Sequence, residues 1–336
     1  MPDSDIWKYC TAEHCKEFLL SFRLLGDTDW TREKQLACLY AVSNHTEKHY
    51  QPVTIKKRDG TPRSLFVPDP LLMNIQANIL RNILDLMPVS PFATAYHKGA
   101  GIVRNASVHT GQTKILKMDI ENFFGRIVFP MVYQNAFPTV YYPPAVGTML
   151  THLCCYHGYL PQGAPTSAAI SNLVMRHFDA YMGKWCAERE IIYTRYCDDM
   201  TFSGDFDAGT VESKVRNFLS AMGFAVNGKK TKLLTRQGRQ SVTGIVVNEK
   251  PQASRQYRSK LRQEIHYCGK YGVVSHLTRI NDQRYLPLGQ DGIAKYCLSL
   301  LGKVNFVLHV NPQDTYFRQA KELVQCLYHK AKQPCE

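Results

Sequence analysis

Two adjacent carboxylates, Asp198 and Asp199, stand between two short apolar runs, residues 191–196 and 200–203. Consecutive side chains of an extended strand point to opposite faces, and neighbouring carboxylates repel each other. Such a pair suits the tip of a β-hairpin, where a divalent cation can offset the repulsion. All-oxygen donors favour Mg²⁺ or Mn²⁺ over zinc. An ordinary Asp-Asp turn uses the same letters, so the meaning of Tyr196-Cys197-Asp198-Asp199 depends on the rest of the chain.

A second acid follows the same pattern. Asp119 ends the apolar run 115–118 and precedes Ile120-Glu121-Asn122-Phe123-Phe124. Strand-end carboxylates at two separate sites could converge into a three-acid cluster. Two metal ions about 4 Å apart in such a cluster activate a hydroxyl and stabilise the leaving oxygen of an in-line phosphoryl displacement. Between the two sites lies Pro161-Gln162-Gly163-Ala164-Pro165, a tight turn opening a helix predicted over 167–182. Glycine there lets a flat substrate approach the backbone.

The remaining pattern is mixed. Helical spacing covers most of the first fifty residues and 71–86. Residues 53–55 and 63–67, with Asp59-Gly60 between them, read as a hairpin. A helix is expected over 211–222, a strand over 242–247, and mostly helix from about 255. The fold class is therefore α+β. The 336 residues carry 41 Lys+Arg against 28 Asp+Glu, a net charge of +13 and a pI of about 9.2. Ten basic residues against the single acid Glu249 fall between Lys229 and Arg262, with Tyr257, Tyr267, Tyr271 and Tyr285 in or beyond that stretch. A solvated face is the bland explanation; the density favours a nucleic-acid partner. No apolar run approaches the roughly 20 residues of a membrane span, and residues 1–10 lack a signal-peptide core. Eleven scattered cysteines argue against a disulfide framework, so a cytoplasmic location is expected. His152-x-Cys154-Cys155-x-His157 matches no common zinc spacing and reads as part of a half-buried helix.

Taken together, Asp119 with Phe123-Phe124, then Pro161 to Ser167 with Ser171-Asn172, then Tyr196-Cys197-Asp198-Asp199, resemble the palm of a reverse transcriptase. The hairpin around 57–63 looks like that family's fingers, and Gly223-Phe224 through Thr231 like its next palm motif; the likeness spans roughly residues 50–250. Asn105-Ala106-Ser107-Val108-His109 matches the Asn-Ala-x-x-His box of bacterial retron reverse transcriptases, and Val242-Thr243-Gly244 their Val-Thr-Gly box. Ala168 and Gly125 stand where related enzymes often have proline, and Cys197 replaces a commoner alanine; none of these removes a carboxylate.

The resemblance implies a right-hand polymerase: an N-terminal helical extension over 1–49, fingers over 50–110, palm over 111–250 and a basic helical thumb over 251–336. It implies that Asp119, Asp198 and Asp199, with the Ile120 carbonyl, hold two Mg²⁺, Mn²⁺ being possible. Phe124 would lie under the incoming sugar and select dNTPs, while Phe123 is read as core. Gln162 and Gly163 would meet the nucleotide or template. Lys57 and Arg63 would clamp the triphosphate, or be solvent charges. Either Lys229 or Lys230 would neutralise the pyrophosphate. Asn105 and His109 would order the loop before the palm or touch RNA, the structural role being preferred for His109. Val242, Thr243 and Gly244 form the family box, and Arg255, Arg258, Lys260 and Arg262 would contact RNA. The implied partners are a cognate structured non-coding RNA, its single-stranded DNA product, dNTPs and a separate effector protein, with no membrane. Reverse transcriptases of another prokaryotic branch (group II intron, diversity-generating or abortive-infection) and a non-polymerising RNA-binding scaffold are the rival readings.

Overall fold

The computed structural model describes residues 6–56 and 60–332; Lys57 lies outside the described residues. The elements, in chain order, are α1 (Ala12–Ser21), α2 (Arg32–Asn44), β1 (Tyr50–Lys56), β2 (Pro62–Pro68) and α3 (Pro70–Asn82). Next come α4 (Ile102–Ser107), β3 (Lys114–Asp119), α5 (Phe129–Ala136), α6 (Pro144–Cys154), α7 (Ser167–Val174) and α8 (Arg176–Ala187). They are followed by β4 (Ile192–Tyr196), β5 (Asp199–Gly204), α9 (Ala208–Ala221), β6 (Lys232–Thr235), β7 (Ser241–Val242) and β8 (Ile245–Val246). Four helices close the chain: α10 (Arg255–Tyr271), α11 (Val273–Arg279), α12 (Gly289–Val310) and α13 (Thr315–Lys332).

The chain divides into two compact units, one of residues 1–101 and 114–233, the other of 102–113 and 234–336. In the first, β1 and β2 form an antiparallel hairpin with Pro52 opposite Phe66 and Ile55 opposite Arg63. A four-stranded sheet runs in the order β4-β5-β3-β6. β3 and β4 are both antiparallel to β5. Alternation puts Leu116, Met118, Met200 and Phe202 in the core beside Phe178 of α8 and Val215 and Leu219 of α9. Local chemistry marks the helix starts. Asp69 accepts from the Leu72 amide at 2.9 Å ahead of Pro70, the first helical residue of α3, a cap that satisfies one orphan amide.

In the second unit α4 packs on the β7–β8 hairpin. Helices α10 to α13 enclose a separate core of Leu261, Ile265, Leu300, Val304, Phe317 and Val324. Lys303 of α12 bonds Glu264 of α10 at 2.6 Å.

Three expectations need correction. The helix over 167–182 is two helices that break at Met175, with ψ near −2°. The Ser171 hydroxyl there donates back to the Ala168 carbonyl at 2.8 Å, a competition that bends helices. The strand over 242–247 is a tight hairpin whose turn residues, Thr243 and Gly244, have φ of +46° and +84°, as a two-residue turn with primed geometry requires. The segment Leu286–Val310 contains an 18-residue stretch of mean hydropathy 1.2 and is, by length and composition alone, apolar enough to cross a membrane. Length of apolar run missed it because Asp291, Lys295 and Lys303 interrupt the pattern; in the structure its Leu300, Val304 and Val307 are core residues.

Candidate active site

The β4–β5 hairpin delivers the first two acids. Tyr196 pairs with Asp199, which leaves Cys197 and Asp198 as the two-residue turn; Cys197 takes φ +59°. On the other side of β5, Asp119 stands directly opposite Asp199. The strand continues past it, the Ile120 amide donating to the Asp198 carbonyl at 3.1 Å and the Asn227 amide to the Asp119 carbonyl at 2.8 Å. Three acidic residues, Asp119 about eighty positions from the other two, are thus brought to one end of a sheet, because β3 and β5 are paired in this register.

Their electrostatics follow from that crowding. Burial raises the Asp119 pKa, and the Asp198 charge adds to it, against the opposing pull of Lys230. Burial also raises the Asp199 pKa, with Asp198 and, more weakly, Asp119 adding repulsion. Lys230 Nζ lies 2.8 Å from Asp119 Oδ2. Burial alone would lower the Lys230 pKa, but the bond to Asp119 and the charges of Asp198 and Asp199 raise it overall. Both partners of this pair shift upward because Asp119 loses more to burial and its acidic neighbours than one half-exposed ammonium returns. Lys229 is exposed as well, but its amide bonds Asn227 Oδ1 at 3.1 Å and no acid pairs with its side chain among the described residues.

Among the described residues no three Asp, Glu, His or Cys side chains are already gathered into a metal-coordinating cluster. The acids share one sheet end without being drawn into one cluster, and the Lys230 ammonium sits on Asp119. The donor set nevertheless fits a hard divalent cation. It is all oxygen, and the Asp198 charge raises the pKa of both Asp119 and Asp199, a repulsion that positive charge would relieve.

Phe123 is 2% exposed and packs 5.8 Å from the Phe224 ring, whereas Phe124 beside it is half-buried. The turn over 161–165 is braced by the Ser167 hydroxyl on the Pro161 carbonyl at 2.6 Å. Its Gln162 carbonyl accepts from the Phe66 amide of β2 at 2.7 Å. Gly163 has φ +119°, and a Cβ there would meet the Phe66 carbonyl oxygen at 2.9 Å. The glycine thus has a packing reason, docking against β2, where sequence reasoning gave it only a substrate one. Arg63 is exposed on β2. His152 packs on Phe129, and Cys154 and Cys155 are buried; α6 ends at Cys154.

The second unit holds the other predicted residues. Asn105 and His109 are buried, at 1% and 0% exposure, so neither offers a face to RNA here. The Thr243 hydroxyl donates to the Ile102 carbonyl at 3.0 Å, so the two family boxes pack on each other. Val242 is buried and Gly244 exposed in the turn. Arg255, Lys260 and Arg262 are exposed along α10. Arg258 lies 3.8 Å from Asp314, and the Arg262 guanidinium sits 5.0 Å over the Tyr316 ring. Arg239, Arg255, Arg258 and Lys260 line a cavity of about 720 Å³ whose walls contain no acid.

Two residues near the acids escaped sequence reasoning. Arg195 is fully buried on β4 in an ion pair with Asp179, and Tyr96, at φ +62°, reaches the Cys197 thiol. A charged residue inside an apolar strand pattern was the one available signal for Arg195. Nothing in the letters around Tyr96 marks it.

A family model described as reverse transcriptase (RNA-dependent DNA polymerase) matches residues 55–269. The Retron Ec86 reverse transcriptase of Escherichia coli is 34% identical over 237 residues, covering 68% of this chain and 73% of that protein. The Retron Mx65 reverse transcriptase of Myxococcus xanthus is 32% identical over 270 residues, 70% of this chain and 63% of that one. Among solved structures, apo telomerase from Candida tropicalis aligns over 84% of this chain and 56% of that chain, at 10% identity and a TM-score of 0.47.

Proposed function

This chain belongs to the bacterial retron reverse transcriptases, RNA-directed DNA polymerases, and from that premise we propose that it copies part of one structured non-coding RNA into single-stranded DNA. The observation that carries the reading is the register of β3 on β5, which sets Asp119 opposite Asp199 beside the Asp198 turn, with Lys230 on Asp119. Asp119, Asp198 and Asp199, with the Ile120 carbonyl, are the residues that would hold two Mg²⁺ or Mn²⁺. When bound, such ions supply Lewis acidity at the attacking and leaving oxygens.

In the reaction, a primer hydroxyl oxygen bonds the α-phosphorus of a dNTP, and the bond from that phosphorus to the bridging oxygen breaks, releasing pyrophosphate. Lys230, which bonds Asp119, would neutralise the pyrophosphate or hand it a proton. Phe124, half-buried five residues past Asp119, would lie under the sugar and exclude a 2′-hydroxyl, while the Phe123 ring, 5.5 Å away, belongs to the core. Gln162 and Gly163 would border the template, and Arg63, with Lys57, the triphosphate. The basic face of α10 would hold the duplex. Most of the fingers (50–110) and palm (111–250) would lie in the first unit, with residues 102–113 and 234–250 in the second together with the thumb (251–336). The first primer would be a guanosine 2′-hydroxyl within the RNA, giving branched RNA–DNA, and the product would act with a separate effector in defence against phage.

The test is primer extension on an RNA template, together with sequencing of nucleic acid that copurifies with the protein. Wild type is expected to incorporate dNTPs, and Asp198→Ala to lose at least about 100-fold in rate, as removal of a charge-stabilising ligand does. A DNA strand joined 2′,5′ to RNA supports the retron product. Synthesis by neither protein would favour the RNA-binding scaffold.

A further inference from the structure

A guanidinium removed from water is costly unless its donors are partnered, and Arg195 is wholly buried. Its Nε donates to Asp179 Oδ1 at 2.8 Å and its Nη2 to Asp179 Oδ2 at 2.6 Å, a bidentate fork on an equally buried carboxylate of α8. The Tyr193 hydroxyl donates to the same Oδ1 at 2.8 Å. These bonds fix the plane of the guanidinium. The third nitrogen, Nη1, points away from Asp179. It donates to Asn172 Oδ1 at 3.3 Å and to the Cys197 carbonyl at 2.9 Å.

That carbonyl belongs to the peptide joining Cys197 to Asp198. Cys197 stands in the left-handed region, which is unfavourable for a residue bearing a Cβ, so the turn needs outside support to keep this shape. Support also comes from the segment beside β4. The Arg195 amide donates to the Phe92 carbonyl at 2.8 Å, and the Thr94 amide to the Arg195 carbonyl at 2.8 Å. Two residues on, Tyr96 brings its hydroxyl to the Cys197 thiol. Asn172 is itself held, its Nδ2 donating to the Ala95 carbonyl at 2.9 Å.

We propose that Arg195 is a positioning residue of the polymerase site, fixing the Cys197–Asp198 peptide, and through it the Asp198 carboxylate, from a guanidinium that Asp179 and Asn172 hold in place. Neutralising Asp179 needs only Nε and Nη2; Nη1 is shared between Asn172 and, by the shorter bond, the turn that presents the acid. The inference rests on the polymerase reading above.

The test compares wild type, Arg195→Lys and the apolar replacement Arg195→Met/Asp179→Leu. The lysine keeps a charge for Asp179 but lacks the fork that reaches the turn. The double variant removes the buried pair altogether, an exchange that proteins often tolerate. Folding is followed by circular dichroism, template–primer affinity by anisotropy, turnover by primer extension, and Mn²⁺ affinity of the free protein by electron paramagnetic resonance. In both variants kcat and Mn²⁺ affinity are expected to fall about 10- to 100-fold, as loss of an outer-shell partner does. The dNTP KM and template–primer Kd are expected to stay within about twofold of wild type. A folded variant with wild-type turnover and Mn²⁺ affinity overturns the proposal, as does failure of both variants to fold, which would make the pair a fold determinant alone. Absence of synthesis by wild type would instead overturn the polymerase reading.

Discussion

Lys229 and Lys230 are adjacent basic residues with different surroundings. Only Lys230 reaches an acid, 2.8 Å from Asp119, while Lys229 presents its amide to Asn227 and its side chain to solvent. Lys230→Met is therefore expected to lower kcat about 100-fold in steady-state primer extension, the scale of a missing proton donor. Lys229→Met, touching a solvated charge, is expected to change it by no more than about threefold. Sequence reasoning could not choose between the two because the choice depends on the path from Phe224 to Thr231 beside β3, which no local spacing records. The YCDD turn lies at the other extreme. Its two acids between apolar half-strands predict a hairpin tip, and the tip is there.

At the scale of elements, α4 packs on the β7–β8 hairpin, and His109, just past the end of α4, is fully buried. Burial lowers the His109 pKa to about 3, so the folded protein keeps this imidazole neutral across the physiological range. The unfolded chain, with an ordinary histidine pKa of about 6.5, takes up a proton that the folded chain refuses. The associated stability is complete above that value and is lost as pH falls toward 3, by about 1.4 kcal/mol per pH unit. Urea midpoints measured from pH 7 to 4.5 are expected to fall for wild type and to show a shallower decline for His109→Phe. Elements with a strong local signal were legible in the sequence: the β1–β2 hairpin from its Asp-Gly, and α3 from the helical spacing over 71–86. The break at Met175 and the turn at Thr243-Gly244 were not, since a back-bonding serine and a threonine at positive φ leave the hydrophobic periodicity unchanged. The Arg195–Asp179 pair was illegible for another reason. It joins a strand to a helix through tertiary packing, and an arginine in a strand says nothing of its partner.

Over the whole molecule, the +13 charge is the property that composition alone fixes. Its concentration on α10 and Arg239, around an acid-free cavity, carries a quantitative expectation. Binding of a non-specific RNA–DNA duplex should weaken linearly on a plot of log affinity against log salt. Arg255→Gln/Lys260→Gln should reduce that slope by about 2, nearly one for each phosphate no longer neutralised. An unchanged slope in fluorescence anisotropy titrations would place the duplex elsewhere. The bond from the Phe66 amide to the Gln162 carbonyl has a mechanical consequence for the first unit. It clamps the β1–β2 ribbon near its root, beside the Pro52–Phe66 pair, and leaves the outer half, with Arg63, without that anchor. Such a ribbon is a cantilever: bending forces applied at the far end are felt as leverage on the Gly163 turn.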